Sequence, residues 1–178
     1  LPAPPGLDAC HALLAYEGPG RELVARIKYR NERAVLGALA RSMAALVGPG
    51  AADVVTWAPT TAPRRRERGF DHAELLARAV AARLGLGCRG LLRRVSTGPQ
   101  TGLGAAARWQ GVTFAASLPR GLPARPRVLL VDDVATTGAT LSAAARALRA
   151  AGAAGVVGLV AARTPLKARR AGVDQVTR

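Results

Sequence analysis

Aromatic residues are scarce in this chain: Phe, Trp and Tyr together make up 3% of its 178 residues. Its core must therefore be mostly Leu, Val and Ala, which favours helices packed on a sheet over an aromatic-filled β-sandwich. Cysteine is equally rare. Cys10 and Cys88 lie far apart and form no C-x-x-C pair. No zinc site can be read from them, and reduced thiols in a cytoplasmic protein are the expected state. The longest apolar stretch, around Ala150 to Ala162, is too short to span a bilayer and is broken by Gly152, Gly155 and Gly158, so no membrane insertion is expected. The start, Leu1-Pro2-Ala3-Pro4-Pro5-Gly6, lacks the basic and apolar regions of a signal peptide. It also lacks Met, so an upstream region is expected to be missing. The nucleotide-binding patterns G-x-x-x-x-G-K-[ST] and G-x-G-x-x-G are absent as well.

What is abundant is positive charge. Lys and Arg number 26 against 11 Asp and Glu, a formal net charge of +15. Such an excess attracts polyanions. Nearly all of it is Arg, with Lys28 and Lys167 the only lysines. An Arg/Ala/Gly-heavy composition accounts for the charge equally well, and both readings stay open. The length and the 49% hydrophobic content suit one domain with a real core.

Periodicity divides the chain. Residues 1–15 read as a tail or the remnant of an upstream region, and 16–178 as one domain. A short strand is expected around Leu13, Leu14 and Tyr16, closed by a turn at Gly18-Pro19-Gly20. Helices are expected over Glu22 to Tyr29 and Glu32 to Val47. Ala52 to Trp57 reads as a core strand, followed by the basic run Arg64 to Arg68. Asp71, with Glu74 three residues on, begins the next helix, which ends at Gly85. Leu91 and Leu92 begin another strand. Ser96 to Gly111 reads as a long loop, and Val112 to Ala115 as a return to the sheet. Arg127 to Val131 reads as a strand buried on both faces. Asp132 to Thr140 is then a loop, Leu141 to Ala151 a helix and Val156 to Ala161 the return strand.

The chemistry concentrates in Asp132-Asp133-Val134-Ala135-Thr136-Thr137-Gly138-Ala139-Thr140. In open α/β sheets the carboxyl ends of the strands form the ligand crevice. A loop of small and hydroxylated residues running into a helix can turn its N–H groups around a phosphate, and the helix N-terminus adds positive potential. Carboxylates repel phosphate but accept hydrogen bonds from sugar hydroxyls. The pattern therefore fits a sugar phosphate, with its diol on Asp132 and Asp133 and its phosphate in the Thr/Gly turn. Capping alone would need one carboxylate, not two.

This segment resembles the 5-phosphoribosyl 1-diphosphate (PRPP) binding motif of type I phosphoribosyltransferases. Further residues, Tyr16, Gly18, Arg21 to Leu23, Ile27 to Tyr29, Arg64 to Phe70, Gln100, Leu103 and Arg108, resemble the competence-protein ComF family. The resemblance implies a type I phosphoribosyltransferase-like, Rossmann-type α/β fold. Its central sheet would be mostly parallel, with flanking helices and a small hood. Asp132 and Asp133 would hold the ribose hydroxyls, and Ala135, Thr136, Thr137, Gly138, Ala139 and Thr140 would wrap the 5-phosphate. Ala58, Pro59, Thr60 and Thr61 would form the diphosphate loop, where relatives often carry a non-proline cis peptide. Arg66 and Arg68 would grip the diphosphate, and Gln100 to Arg108 would form a lid that brings Arg108 to the reaction. Mg²⁺ would come held mainly by PRPP, with no direct protein ligand.

The sequence also departs from the family. The four-cysteine zinc module that many members carry at the N-terminus is not among these residues; either this member lacks it or the chain has been trimmed. The usual Gly-Phe-Asn-Gln reads Gly69-Phe70-Asp71-His72, and Gly111 replaces an Asn usual after the lid. Asp71 brings a carboxylate close to the diphosphate region, and His72 is read either as a general base or, more commonly for a lone helix-start histidine, as a surface residue. The resemblance implies phosphoribosyl transfer and a link to DNA uptake. Its alternative is a non-catalytic module that senses PRPP or binds single-stranded DNA or competence proteins.

Overall fold

The computed structural model describes residues 2–30, 33–95 and 112–165. Its order is β1 (Ala9–Ala15), α1 (Gly18–Arg30), α2 (Arg33–Ala44), β2 (Val54–Trp57), α3 (Ala62–Arg68), α4 (His72–Leu84), β3 (Leu92–Val95), β4 (Thr113–Ala116), β5 (Arg127–Ala135), α5 (Ala139–Ala150) and β6 (Gly155–Arg163). Four strands form a parallel sheet in the order β1-β6-β5-β2. The α/β architecture, with a parallel central sheet and flanking helices, is the one expected.

The central strand β5 shows why. Its residues alternate between two faces, as strand geometry requires. Leu129 and Val131 pack with Leu39, Ala40 and Met43 of α2 and Leu76, Ala77 and Val80 of α4. Val128 and Leu130 pack with Leu141, Ala144, Ala145 and Leu148 of α5. Burying each such Leu or Val contributes about 1.5–3 kcal/mol. The alanines add little area themselves, but their small side chains let the helices lie close to the sheet.

Several boundaries differ from those expected. The first strand begins at Ala9 rather than Leu13, and it pairs with β6 from Ala9↔Val157 to Ala15↔Arg163. Residues 2–8, read as tail, are tied down. Arg163 donates to Pro2 O at 2.8 Å, Arg149 Nε to Gly6 O at 2.8 Å, and the Asp8 N–H to Val156 O at 2.9 Å. These anchors come from the far end of the chain, so local pattern does not reveal them.

Gly18-Pro19-Gly20 is the first turn of α1 rather than a separate turn, a place where proline fits because its missing N–H has no helical acceptor. A Cβ on Gly20 would fall 2.1 Å from the Ala15 carbonyl oxygen, so only glycine allows α1 to start that close to β1. The basic run is itself a helix, α3. The strand after the long loop does not rejoin the main sheet. β4 pairs antiparallel with β3 as a separate two-stranded sheet. Phe114 and Ala116 of β4 and Leu91, just before β3, pack with the α5 side of the core.

Asp53 and Arg127 fasten β2 to β5 at their starts. Asp53 Oδ2 accepts the Arg127 N–H at 2.7 Å, Oδ1 accepts from Nη2 at 2.7 Å, and Arg127 also donates to Gly50 O. The hydrogen bonds from Arg127 hold the Asp53 carboxyl below its ordinary value. A lowered folded-state value stabilises the protein above the unfolded carboxylate range, and that contribution disappears as pH falls through it. Thermal unfolding of Asp53→Asn and wild type is therefore expected to differ most at pH 6–7 and to converge toward about pH 3. A gap that widened on acidification would contradict this pairing.

Candidate functional site

Parallel pairing brings the two functional segments together. β2 and β5 are neighbours with Trp57 opposite Val131, so both chains leave the sheet side by side. The Ala58 N–H donates to Val131 O at 3.1 Å and starts the 58–61 loop directly beside Asp132. A cavity of ≈ 290 Å³ opens at this strand edge. That is near the lower end of the range of about 300–1,000 Å³ typical of ligand pockets.

Asp132, Asp133, Thr136 and Thr140 line one side of this cavity, and Ala58, Pro59, Thr60 and Asp71 another. Asp132 is almost fully buried, and its Oδ1 accepts the Asp133 N–H at 2.8 Å. The strand runs on through Ala135 instead of ending at Val131, because β6 is equally long and pairs with it out to Ala135↔Arg163. The two carboxylates are therefore strand residues, held more firmly than loop residues would be. The turn shrinks to Thr136–Gly138, and Ala139 and Thr140 belong to the first turn of α5. Gly138 caps that helix at φ 77°, in the left-handed region. Thr137 turns its hydroxyl back to accept the Ala139 N–H at 3.3 Å.

The expected site residues divide accordingly. Asp132, Asp133, Thr136, Thr140, Ala58, Pro59 and Thr60 share the cavity. Ala135 is a buried strand residue. Thr137, Gly138 and Ala139 adjoin the cavity without lining it, and so does Thr61, which caps α3. Arg66 is exposed on α3 and is not among the lining residues. One helical turn selects Arg64 instead, a choice that a run of similar residues conceals. The Arg68 side chain, Arg108 and the whole of Gln100 to Arg108 lie outside the described residues. All described peptide bonds are trans, those of the 58–61 loop included, against the cis peptide that the resemblance implies. For non-proline residues the trans form is favoured by about 2.5–4 kcal/mol.

Further lining residues had no role, or only an open one, in the sequence. His72 is buried rather than on the surface, with its ring edge-on to Phe70 at 4.7 Å between centroids. Tyr16 enters from the end of β1. Arg94 reaches in from β3, and its Nη1 donates to Pro59 O at 3.3 Å while the guanidinium lies 5.6 Å over the Phe114 ring. The alternating burial of Leu92–Val95 puts Arg94 on the same face as Leu92, although the sequence Leu-Arg-Arg-Val does not itself alternate. What that face meets is not legible there. Burial first, then the nearby Arg64 charge, shift the Arg94 guanidinium below its ordinary value, while Asp132 opposes the shift. Arg64 and Arg94 thus bring positive charge to the Pro59–Thr60 side of a hollow that also holds Asp71, Asp132 and Asp133.

Asp71 does more than cap α4. Oδ1 accepts the Ala73 N–H at 3.1 Å, and Oδ2 accepts the Thr60 N–H at 2.8 Å from the 58–61 loop. The described residues contain no cluster of three or more His, Cys, Asp or Glu able to hold a metal ion. No helix among them is long and apolar enough to cross a membrane. Both cysteines are free thiols, and burial pushes each above its ordinary value.

No curated protein matches the sequence. Among solved structures, the chain is similar to an allosteric regulatory enzyme of purine biosynthesis, with 28% identity, a TM-score of 0.46 and coverage of 70% of this chain and 25% of that one. It is also similar to the glutamine phosphoribosylpyrophosphate amidotransferase of B. subtilis, solved with ADP and GMP (28% identity, TM-score 0.45, 69% and 25% coverage). A third is the adenine phosphoribosyltransferase of Thermoanaerobacter pseudethanolicus (16% identity, TM-score 0.45, 74% and 83% coverage). The chain spans about a quarter of the length of the first two. Residues 71–177 match the family described as phosphoribosyl transferase domain. That match takes in more than half of the sequence, including the carboxylate-bearing strand and the hydroxyl-rich start of α5, and the chain belongs to the phosphoribosyl transferase domain family.

Proposed function

We propose that this protein binds PRPP in the cavity at the ends of β2 and β5 and transfers its phosphoribosyl group. The observation that carries the reading is the sharing of one hollow by three kinds of group. These are the carboxylate pair Asp132 and Asp133, the hydroxyls of Thr136 and Thr140, and the guanidiniums of Arg64 and Arg94. The carboxylates accept hydrogen bonds from the ribose diol. The Thr136–Gly138 turn and the first N–H groups of α5, which lack intrahelical acceptors, receive the 5-phosphate. Arg64 and Arg94 face the diphosphate together with the 58–61 loop, the task expected of Arg66 and Arg68. Arginine suits it, because its planar fork grips phosphate oxygens in pairs.

In the transfer, an incoming nucleophile bonds to C1 as the C1–O bond to diphosphate breaks, and diphosphate leaves with the electron pair. Positive charge then grows on the ribose beside Asp132 and Asp133, and negative charge grows on the leaving group beside Arg64 and Arg94. The residues contribute positioning and electrostatic stabilisation. The donor set also fits magnesium, which commonly binds through one or two carboxylates plus substrate phosphates. Asp132 and Asp133 would favour it by their charge, with PRPP supplying the oxygens that hold it. Bound with PRPP, magnesium supplies neutralisation of the diphosphate charge. Membership of the ComF family, with its link to DNA uptake, is part of this proposal and rests on the resemblance of Tyr16, Gly18, Arg21 to Leu23, Ile27 to Tyr29, Arg64 to Phe70, Gln100, Leu103 and Arg108.

Calorimetric titration with PRPP and Mg²⁺ tests the reading, followed by a diphosphate-release screen over nucleobases and amines. Saturable binding that requires Mg²⁺ is expected. An absence of heat at millimolar PRPP would refute it. A second reading, binding of single-stranded DNA, is favoured by the exposed Arg64, Arg65 and Arg66 on α3 and the net charge of +15. Steeply salt-dependent DNA binding without transferase turnover would select it. The scarcity of aromatics weighs against it, because single-strand binders usually stack bases on aromatic rings.

A further inference from the structure

The carbonyl of Pro59 and the N–H of Thr60 are the two ends of one peptide unit, and each has a side-chain partner. Arg94 Nη1, from the two-stranded sheet, donates to the Pro59 oxygen at 3.3 Å. Asp71 Oδ2, from the start of α4, accepts the Thr60 N–H at 2.8 Å. The two partners sit on different elements, each separately anchored. Leu91 and Leu92, at and just before the start of β3, pack into the core, and Asp71 Oδ1 is held by the Ala73 N–H. Asp71 is 5% exposed, so its bond to Thr60 is shielded from competing water.

We propose that Asp71 and Arg94 form a clamp on the Pro59–Thr60 peptide, with Asp71 a positioning residue for the diphosphate and Arg94 both holding the peptide and facing the diphosphate. The inference rests on the function proposed above and adds to it how the 58–61 loop is oriented. A peptide unit pinned at both ends cannot rotate without breaking a hydrogen bond at each. The Thr60 N–H is therefore committed to the protein, and it is the Thr60 side chain and the following residues that remain for a ligand. The clamp also gives Asp71 a reason to stand in a cavity suited to a polyanion. Its carboxylate is occupied by two backbone N–H groups.

The clamp and simple electrostatics predict opposite signs. By charge alone, removing a carboxylate from a polyanion site strengthens anion binding. If Asp71 acts through the peptide, removing it weakens binding. Asp71→Ser is the informative variant. Serine still caps α4 by accepting from Ala73 but is too short to reach Thr60 as well. Inorganic diphosphate with Mg²⁺, PRPP with Mg²⁺ and ribose 5-phosphate are the probes, each titrated into wild type, Asp71→Ser, Arg94→Gln and the double variant. Asp71→Ser is expected to lose roughly tenfold in affinity for diphosphate and PRPP and to keep wild-type affinity for ribose 5-phosphate. The double variant is expected to lose less than the product of the single losses, because both residues act on one peptide.

Equal or tighter diphosphate binding by Asp71→Ser overturns the clamp. So does an equal loss for ribose 5-phosphate, which would mark a general structural role, and so do strictly multiplicative losses. Wild-type protein that binds none of the probes would sink the proposed function instead. The clamp would then be judged by hydrogen exchange at the Thr60 amide, expected to be slow in wild type and faster in Asp71→Ser. Fast exchange in wild type would end it.

Discussion

Asp132→Asn combined with Asp133→Asn is expected to weaken PRPP–Mg²⁺ binding by at least about 100-fold while leaving thermal unfolding nearly unchanged. Hydrogen bonds to ionised groups contribute about 1.5–3 kcal/mol each, and two carboxylates facing a ribose diol make at least two of them. Half of that sum already corresponds to roughly a tenfold to hundredfold loss, and the two lost charges no longer favour Mg²⁺ or a cationic ribose. Folding is expected to survive. Asn keeps a carbonyl oxygen that can accept the Asp133 N–H as Asp132 Oδ1 does now, at 2.8 Å. The pairing of β5 with β6 through this stretch is made by backbone groups. Calorimetry with unchanged affinity would remove Asp132 and Asp133 from the site. A collapse of the melting temperature would instead make them structural.

Gly138→Val is expected to lower the melting temperature by roughly 5–15 °C and to weaken PRPP binding with it. Gly138 has φ 77°, and a Cβ built there falls 2.8 Å from Pro4 Cγ. The left-handed conformation costs a non-glycine residue roughly 1–2 kcal/mol, and overpacking adds about 1–3 kcal/mol. In a domain of this size each kcal/mol shifts the midpoint by about 2–4 °C. The proline ring cannot swing aside as a flexible side chain would, so the Thr136–Gly138 turn or residues 2–8 must move. Gly37→Ala in α2 is the matched control. Its Cβ meets nothing within 4 Å, and it should be neutral or stabilising. Equal melting temperatures for wild type and Gly138→Val would show that the turn tolerates a side chain and is not built around glycine.

The ends of β5 illustrate how far local sequence carries. Its apolar run Val128 to Val131 announces a strand buried on both faces, and Asp132 and Asp133 announce a ligand crevice. The strand nevertheless extends to Ala135, because its length is set by the pairing partner β6. The basic run is a second case. Arginines near the 58–61 loop were legible, but Arg64 rather than Arg66 lines the cavity, since the helical phase of α3 decides which side chain points inward. Arg94 was not legible as a site residue, and His72 was legible as a candidate base but not as a buried side chain.

By itself the sequence determined the α/β class, the strand–turn–helix at residues 127–150, the carboxylate pair and the Thr-rich turn. All of these depend on patterns within about twenty residues, where side-chain alternation, helix capping and turn chemistry act. Only the tertiary structure decided that residues 2–8 lie against Gly138 and β6, that β3 and β4 form their own sheet, and that Asp71 and Arg94 meet on one peptide. Those arrangements join groups separated by 11 to more than 140 positions along the chain. Such contacts form when buried elements find their packing partners, and no local propensity encodes that choice.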